Sequence, residues 1–388
     1  MFAKRTNWNL SPNRLSEALE AHRFAGRPIF DLTVSNPTEC GFTYDTRAIL
    51  AALSQPMALQ YKPVPMGLYS AREAVAAYYS LRGRTVTLED ILLTTGTSEA
   101  YSFALRLLCD PEANVLVPAP SYPLLEILAD LQDVRLIRYP LLYDHGWLID
   151  FHALELAVTP QTRAVILVHP NNPTGHFCSP QQARKLNEFC AAHQLALIVD
   201  EVFFDFSFGK DRPASFAGNL DVLTFTLSGL SKICGLPQMK LAWMVVSGPE
   251  QQKSEALARL EVIADAYLSM NTPIQLAAMM LLNTRHGFQR QLLERVKTNR
   301  AELDRQLSRH KTCSRLKSEG GWNAILRVPV SQSDEEAAVQ LLAEKRVHAH
   351  PGHFYDFPGN GYFVLSLITP PETFAKGLES LLEFFSGS

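Results

Sequence analysis

The 388-residue chain lacks most of the features that would narrow its class at a glance. It has no CxxC spacing, and its six cysteines (Cys40, Cys109, Cys178, Cys190, Cys234 and Cys313) are scattered without a histidine cluster beside them. That argues against a zinc site or a disulfide framework and for reduced thiols, and no metal is expected. There is no excess of one charge: 36 Lys and Arg stand against 39 Asp and Glu, a net charge of −3, with no basic run. Nucleic acid and anionic membrane are therefore not expected as partners. No apolar run approaches the ~20 residues that a membrane-spanning helix needs. The opening "MFAKRTNWNLSPNRLSEALEAHRF" lacks the apolar centre of a signal peptide, so a cytoplasmic location is expected. Internal repeats and low-complexity linkers are missing. So is a GxGxxG after a strand, which disfavours a dinucleotide-binding Rossmann enzyme.

What is present is an ordinary globular composition, 47% hydrophobic and 19% charged, on a chain long enough for a large core and a smaller companion. Short apolar runs alternate with helical patterns through its middle. "DILLTTG" (90–96), "NVLVPAP", "RAVILVHP", "LALIVDEVF", "VLTFTLS" and "LAWMVVS" read as strands. "TSEAYSFALRLL" (97–108), with Thr97 and Ser98 as caps, and "PQQARKLNEFCAAHQ" (180–194) read as helices. Near-continuous apolar strands alternating with helices predict an α/β fold whose mostly parallel sheet is covered on both faces. From about residue 285 the pattern changes to a long charged helix, "NAILRVPV", the helix "SDEEAAVQLLAEKR", "GYFVLSLI" and a closing helix. The expected division is a large domain at 46–284 and a small α+β domain at 285–388, completed by the N-terminal segment 1–45 with a helix around Leu15–His22.

Polar residues collect where the strands end, the place where open α/β sheets bind ligands. "TTGTSEA" (94–100) is a small-residue turn opening a helix, so that N–H groups and the helix dipole converge as in a phosphate cradle. By itself it is equally a helix cap. "VHPNNPTGH" (168–176) reads in isolation as a Pro/Asn/Gly turn. "LALIVDEVFFDF" ends a strand on Asp200 and Glu201, carboxylates that equally cap the next segment or pair with an arginine. "FTLSGLSKICGLPQMKLAW" sets one lysine, Lys232, among small and apolar residues. A buried ammonium is costly unless paired, neutralised or bonded, whereas a loop lysine ordinarily faces water.

The ordered set carries more than its members. Asn172, Asp200 and Lys232 lie 28 and then 32 residues apart, behind a phosphate-type turn. From about residue 30 to 385 the chain resembles the class I/II aminotransferase family of fold-type I pyridoxal-phosphate (PLP) enzymes. The resemblance implies an aspartate-aminotransferase-like fold and PLP as cofactor. It implies that Lys232 is the Schiff-base lysine and proton shuttle, that Asp200 partners the pyridine nitrogen and that Asn172 donates to the ring hydroxyl oxygen. Tyr122 is similar to the aromatic stacked on the ring. Gly96, Thr97 and Ser98 would hold the phosphate, with Ser231 or Ser228 and Lys240. Tyr61 resembles the tyrosine that reaches the phosphate from a second subunit, which implies a homodimer with shared active sites. The implied activity is transfer of an amino group between an amino acid and a 2-oxo acid through pyridoxamine phosphate. A PLP lyase or decarboxylase is the alternative. A PLP-binding regulator is less expected, because the resemblance begins within about 30 residues of Met1 and leaves no room for a DNA-binding domain ahead of it.

Three departures from the family pattern bear on chemistry. Lys240 stands where arginine is usual and supplies charge without a fork. Phe203 stands where a tyrosine usually donates to the ring oxygen. Val364, in "GNGYFVLSLITPP", occupies the position of the arginine that binds the substrate α-carboxylate. Arg5, Arg14 and Arg23 are candidates to replace it, and His353 and Tyr355 of "HPGHFYDF" are candidate pocket residues or small-domain packing. Ala266 lies near the position of the arginine that reads a second carboxylate. A neutral or aromatic substrate side chain is therefore expected over a dicarboxylate.

Overall fold

The structure, a computed structural model, describes residues 1–209, 213–268 and 270–387. The strands Thr224–Gly229 and Ala242–Ser247 are buried at every residue, which requires cover on both faces of their sheet. Ile198 packs with Ala100, Phe103 and Ala104 of the helix Thr97–Leu108 on one face. Its neighbours Leu197 and Val199 pack with Leu186 and Phe189 of the helix Pro180–Ala192 on the other, as a two-residue period dictates.

Eight strands form this sheet, in the order Ile91–Thr94, Ala242–Ser247, Thr224–Gly229, Ala196–Asp200, Thr162–Val168, Asn114–Ala119, Arg135–Tyr143, Trp147–Ile149. The run from Thr224–Gly229 to Arg135–Tyr143 is parallel throughout. Ala242–Ser247 is antiparallel to both its neighbours, and Trp147–Ile149 closes the far edge as a hairpin. The mostly parallel sheet expected from the apolar runs is present. The hairpin has no such run, because Arg135–Tyr143 is exposed or half-buried at seven of its nine positions.

The smaller sheet is antiparallel, with Asn323–Arg327 and Tyr362–Ser366 at its centre and Ser314–Arg315 and His350–Pro351 at its edges. Leu15 of the helix Arg14–Phe24, with Leu32, joins Leu341, Leu365, Phe374 and Leu378 in its core. Position 285 is not a linker. It lies inside a 36-residue helix, Thr272–Leu307, started by the Asn271 side chain accepting from the Ile274 N–H. One buried stripe of this helix serves both units: Ala277, Ala278 and Leu281 pack with the large sheet, and Leu292, Val296 and Leu303 with the small one. Apolar periodicity continues through residue 285, so nothing breaks the helix there. Among the described residues, no helix is long and apolar enough to cross a membrane.

A buried ion pair ties three elements together. Arg82, just past the helix Tyr69–Ser80, forks onto Asp205, with side chains 9% and 3% exposed. Gln289 of the long helix donates to the same carboxylate at 2.6 Å, and the Tyr78 hydroxyl does so at 3.3 Å. Removing one partner strands a buried charge. Asp205→Ala is expected to cost about 3–5 kcal/mol, read as a lowered urea midpoint.

Candidate active site

Four strand ends of the large sheet and one face of the small sheet meet at a cleft of ≈ 180 Å³. Each strand delivers its residue by a different local device. Gly229 ends the strand Thr224–Gly229 and starts the short helix Leu230–Ile233, which carries Ser231 and Lys232. The Lys232 amine lies 5.1 Å from the Trp322 ring and 5.7 Å from the Phe203 ring. It makes no hydrogen bond among the described residues. Burial holds its pKa below the usual lysine range, with the charge of Asp200 opposing.

Asp200 is the last residue of its strand. Its Oδ1 accepts from the Val202 N–H at 3.0 Å and its Oδ2 from the Tyr101 hydroxyl at 3.2 Å. Burial pushes its pKa up to about 6, against those two bonds and Lys232. Asn172 sits in a turn that its own motif builds. The Thr174 hydroxyl donates to Asn171 Oδ1 at 2.9 Å, and Gly175 adopts a φ of +68°. A Cβ on Gly175 would stand 2.3 Å from the Gly320 carbonyl oxygen, so the glycine of "NPTG" is what lets this turn meet the small domain. Asn172 Oδ1 then accepts from Asn323 Nδ2 at 2.7 Å, across the two units.

The helix Thr97–Leu108 opens onto the same cleft. Gly96 is its N-cap, rather than Thr97 or Ser98, and no side chain caps it. A glycine takes the cap because the Glu99 side chain, accepting from the Thr95 N–H at 2.7 Å, organises the entry instead. The first-turn N–H groups and both hydroxyls are thereby left unspent on capping. A Cβ at Gly96 would sit 3.4 Å from the Lys240 amine, so Lys240 leans on this turn.

The structure thus brings Thr97, Ser98, Tyr122, Asn172, Asp200, Phe203, Ser231 and Lys232 to one cleft, with Gly96 and Lys240 beside it. Ser228 is not among them: its hydroxyl is buried and donates to the Glu201 carbonyl at 3.4 Å. Tyr61 is 76% exposed in a separate surface groove with Leu59, Lys62, Leu268 and Met270. None of the three candidate arginines lines the cleft. Arg5 pairs with Asp133, Arg14 lies 3.7 Å from Glu336 and Arg23 is exposed. Tyr355 does line the cleft, but His353 is exposed, and the histidine that reaches the cleft is His350.

Other cleft residues have no motif to announce them. Asn323 and Ser366 arrive as a cross-strand pair of the small sheet, and Thr33, Ser35 and Trp322 from the segments just beyond or before short strands of the small unit. Tyr101 is marked only by being a polar-tipped aromatic on the buried stripe of its helix.

Together the fold and the cleft define a two-unit α/β enzyme of the aspartate-aminotransferase type. Residues 28–380 match the family of class I and II aminotransferases, and the chain belongs to it. The glutamate-pyruvate aminotransferase AlaA of Escherichia coli (strain K12) is 26% identical over 375 residues, covering 93% of this chain and 91% of that protein. An alanine aminotransferase of Mycobacterium tuberculosis (strain H37Rv) is 27% identical over 371 residues, covering 92% and 86%. The solved alanine aminotransferase of Pyrococcus furiosus superposes with a TM-score of 0.91 at 21% identity, over 100% of both chains.

Proposed function

We propose that amino-group transfer between an amino acid and a 2-oxo acid takes place in the cleft around Lys232, with pyridoxal phosphate as the resident cofactor. The observation that carries this reading is a buried lysine amine with no hydrogen-bond partner among the described residues, in the same cavity as a buried carboxylate. The residues present fit the group. Lys232 would anchor its aldehyde and Asp200 would face its ring nitrogen. Thr97, Ser98, Ser231 and Lys240 would hold its phosphate at a helix N-terminus. When bound, the ring supplies a carbonyl for the amino group and a sink for electrons released at Cα.

The chain's own residues do the rest. Burial keeps the Lys232 amine in reach of its neutral form, so that it can take the proton from substrate Cα and return it. Asp200, held on both oxygens, supplies a fixed negative charge without reorganising. Because Asn172 Oδ1 is already occupied by Asn323, its Nδ2 is the atom left to donate to an anionic ring oxygen. Phe203 adds no second donor there and packs edge-on against Trp322 instead, with ring centroids 5.1 Å apart. The exposed apolar groove around Leu59, Tyr61 and Leu268 supports a homodimer in which Tyr61 serves the partner's phosphate site. A neutral or aromatic substrate side chain is favoured, since no arginine among the described residues lines the cleft to read a second carboxylate.

The test is the near-ultraviolet and visible spectrum of the protein with pyridoxal phosphate, before and after a panel of amino acids. Conversion to the pyridoxamine spectrum, reversed by an oxo acid, supports transamination, whereas a cofactor band unchanged by every amino acid sinks it. Lys240→Ala is expected to weaken cofactor binding about 10- to 100-fold by removing a charge-assisted contact, in a fluorescence titration with pyridoxal phosphate. Lys240→Arg should bind at least as well as the unsubstituted protein.

A further inference from the structure

Among the described residues, no guanidinium lines the cleft to receive the substrate carboxylate. Val364 lines the cleft, and the lining side chains of ordinary fixed charge are Lys232 and Asp200, one already assigned and the other of the wrong sign. The small sheet supplies a replacement by register. His350 is directly opposite Val364 in the antiparallel ladder, so the two side chains stand on one face. Asn323 is opposite Ser366, two residues further along that same face. All four line the cleft.

His350 Nδ1 is 3.1 Å from the Tyr355 hydroxyl. Burial drives the phenol well above its usual range, so Tyr355 keeps its proton and donates it to Nδ1. The imidazole hydrogen is then on Nε2, which has no partner among the described residues. We propose that His350 holds the substrate carboxylate where a guanidinium would otherwise stand, binding one proton as the carboxylate arrives. This rests on the transamination reading above. No bond between heavy atoms changes: Nδ1 gains an N–H bond to a proton released by hydronium or buffer acid, Tyr355 turns from donor to acceptor, and Nε2–H donates to the carboxylate. Asn323 and Ser366 flank it on the same face.

The surroundings fix the direction of the pH dependence. His348 lies beside His350 with ring centroids 5.7 Å apart, and Asp31 lies beyond it, 3.3 Å from His348. Phe354 and Tyr355 pack on the ring from the following turn, and Asp200 and Lys232 face it across the cleft. Burial first, then His348, lowers the His350 pKa to about 4, with Asp31 opposing, so without ligand the imidazole is neutral at pH 7. A bound carboxylate raises that pKa. Affinity is therefore greatest in acid, falls as pH rises from about 4 through the liganded pKa, and is flat above it.

The probe is pyruvate, a carboxylate without an amino group, added to the pyridoxal-phosphate-loaded enzyme and followed by calorimetry in buffers of different ionisation enthalpy. The expected result is net proton uptake and a Kd that rises about tenfold per unit between roughly pH 5 and 6. His350→Gln should bind about tenfold or more weakly and lose the part of the uptake and pH slope that belongs to His350. What remains in that variant reports Lys232 and Asp200. Adding Val364→Arg to it should restore binding without the slope. The proposal is overturned if His350→Gln keeps the original Kd and slope while retaining the cofactor spectrum, or if pyruvate does not bind the unsubstituted enzyme. Should pyruvate bind as expected while no amino acid converts the spectrum, the transamination reading fails and the carboxylate assignment stands.

Discussion

Lys232→Ala is expected to lower kcat by about four orders of magnitude or more, since it removes the residue proposed as both cofactor anchor and Cα base. Single-turnover absorbance with an amino donor measures it. A small primary amine such as methylamine should return part of the lost rate, because the space left by the three methylenes and the amine of the lysine opens on the cleft. The same substitution has an opposite effect on stability. In the ligand-free protein the Lys232 amine is desolvated without a hydrogen-bond partner among the described residues, so its presence costs folding energy. The melting temperature of cofactor-free Lys232→Ala should equal or exceed that of the unsubstituted protein. A marked drop would mean that the amine is stabilised by something other than the pocket described.

Asp200→Asn carries the second-largest expected effect. Asparagine keeps the shape and one acceptor for the Val202 N–H but would supply no charge to the ring nitrogen of the proposed cofactor. A loss of about 10²- to 10³-fold in kcat is expected, comparable to removing one preorganised electrostatic contact. The stability effect again runs the other way and has a defined pH window. The folded-state pKa of Asp200 is raised from 3.8 to about 6, chiefly by burial. Between those values the native state binds more protons than the unfolded one, so stability falls as pH rises through this range. Above pH 6 the ligand-free Asp200→Asn protein should therefore be more stable, by on the order of 3 kcal/mol, while the two converge near pH 4. Urea midpoints at pH 4.5 and pH 8 decide it. Equal differences at the two pH values would show that the carboxylate is not desolvated as described.

The elements differ in how far they could be read from the chain alone. Runs such as "LALIVDEVF" and "VLTFTLS" announce buried parallel strands because both faces need apolar residues. Arg135–Tyr143 shows no such signal, since much of it faces water. In the helix Thr272–Leu307 the charged second half gives the plain helical signal, and only the structure shows that its first half packs small apolar residues against the large sheet as part of the same helix.

The site divides along the same line. Lys232, Asp200, Asn172 and the Gly96 turn are each positioned by local chemistry: a glycine before a short helix, a strand end, an Asn–Thr turn, an open helix N-terminus. Local chemistry is written in consecutive residues, and the sequence by itself therefore determined the large sheet, the class of enzyme and this half of the cleft. The other half is made by strands far apart in the chain. His350 meets Val364 only through the register of the small sheet, and Asn323 reaches Asn172 across 151 positions. Which side chain stands where the missing arginine would be is a question of cross-strand neighbours and burial. Only the tertiary structure decided that, because pairing register is set by the packed core rather than by the residues that face the ligand.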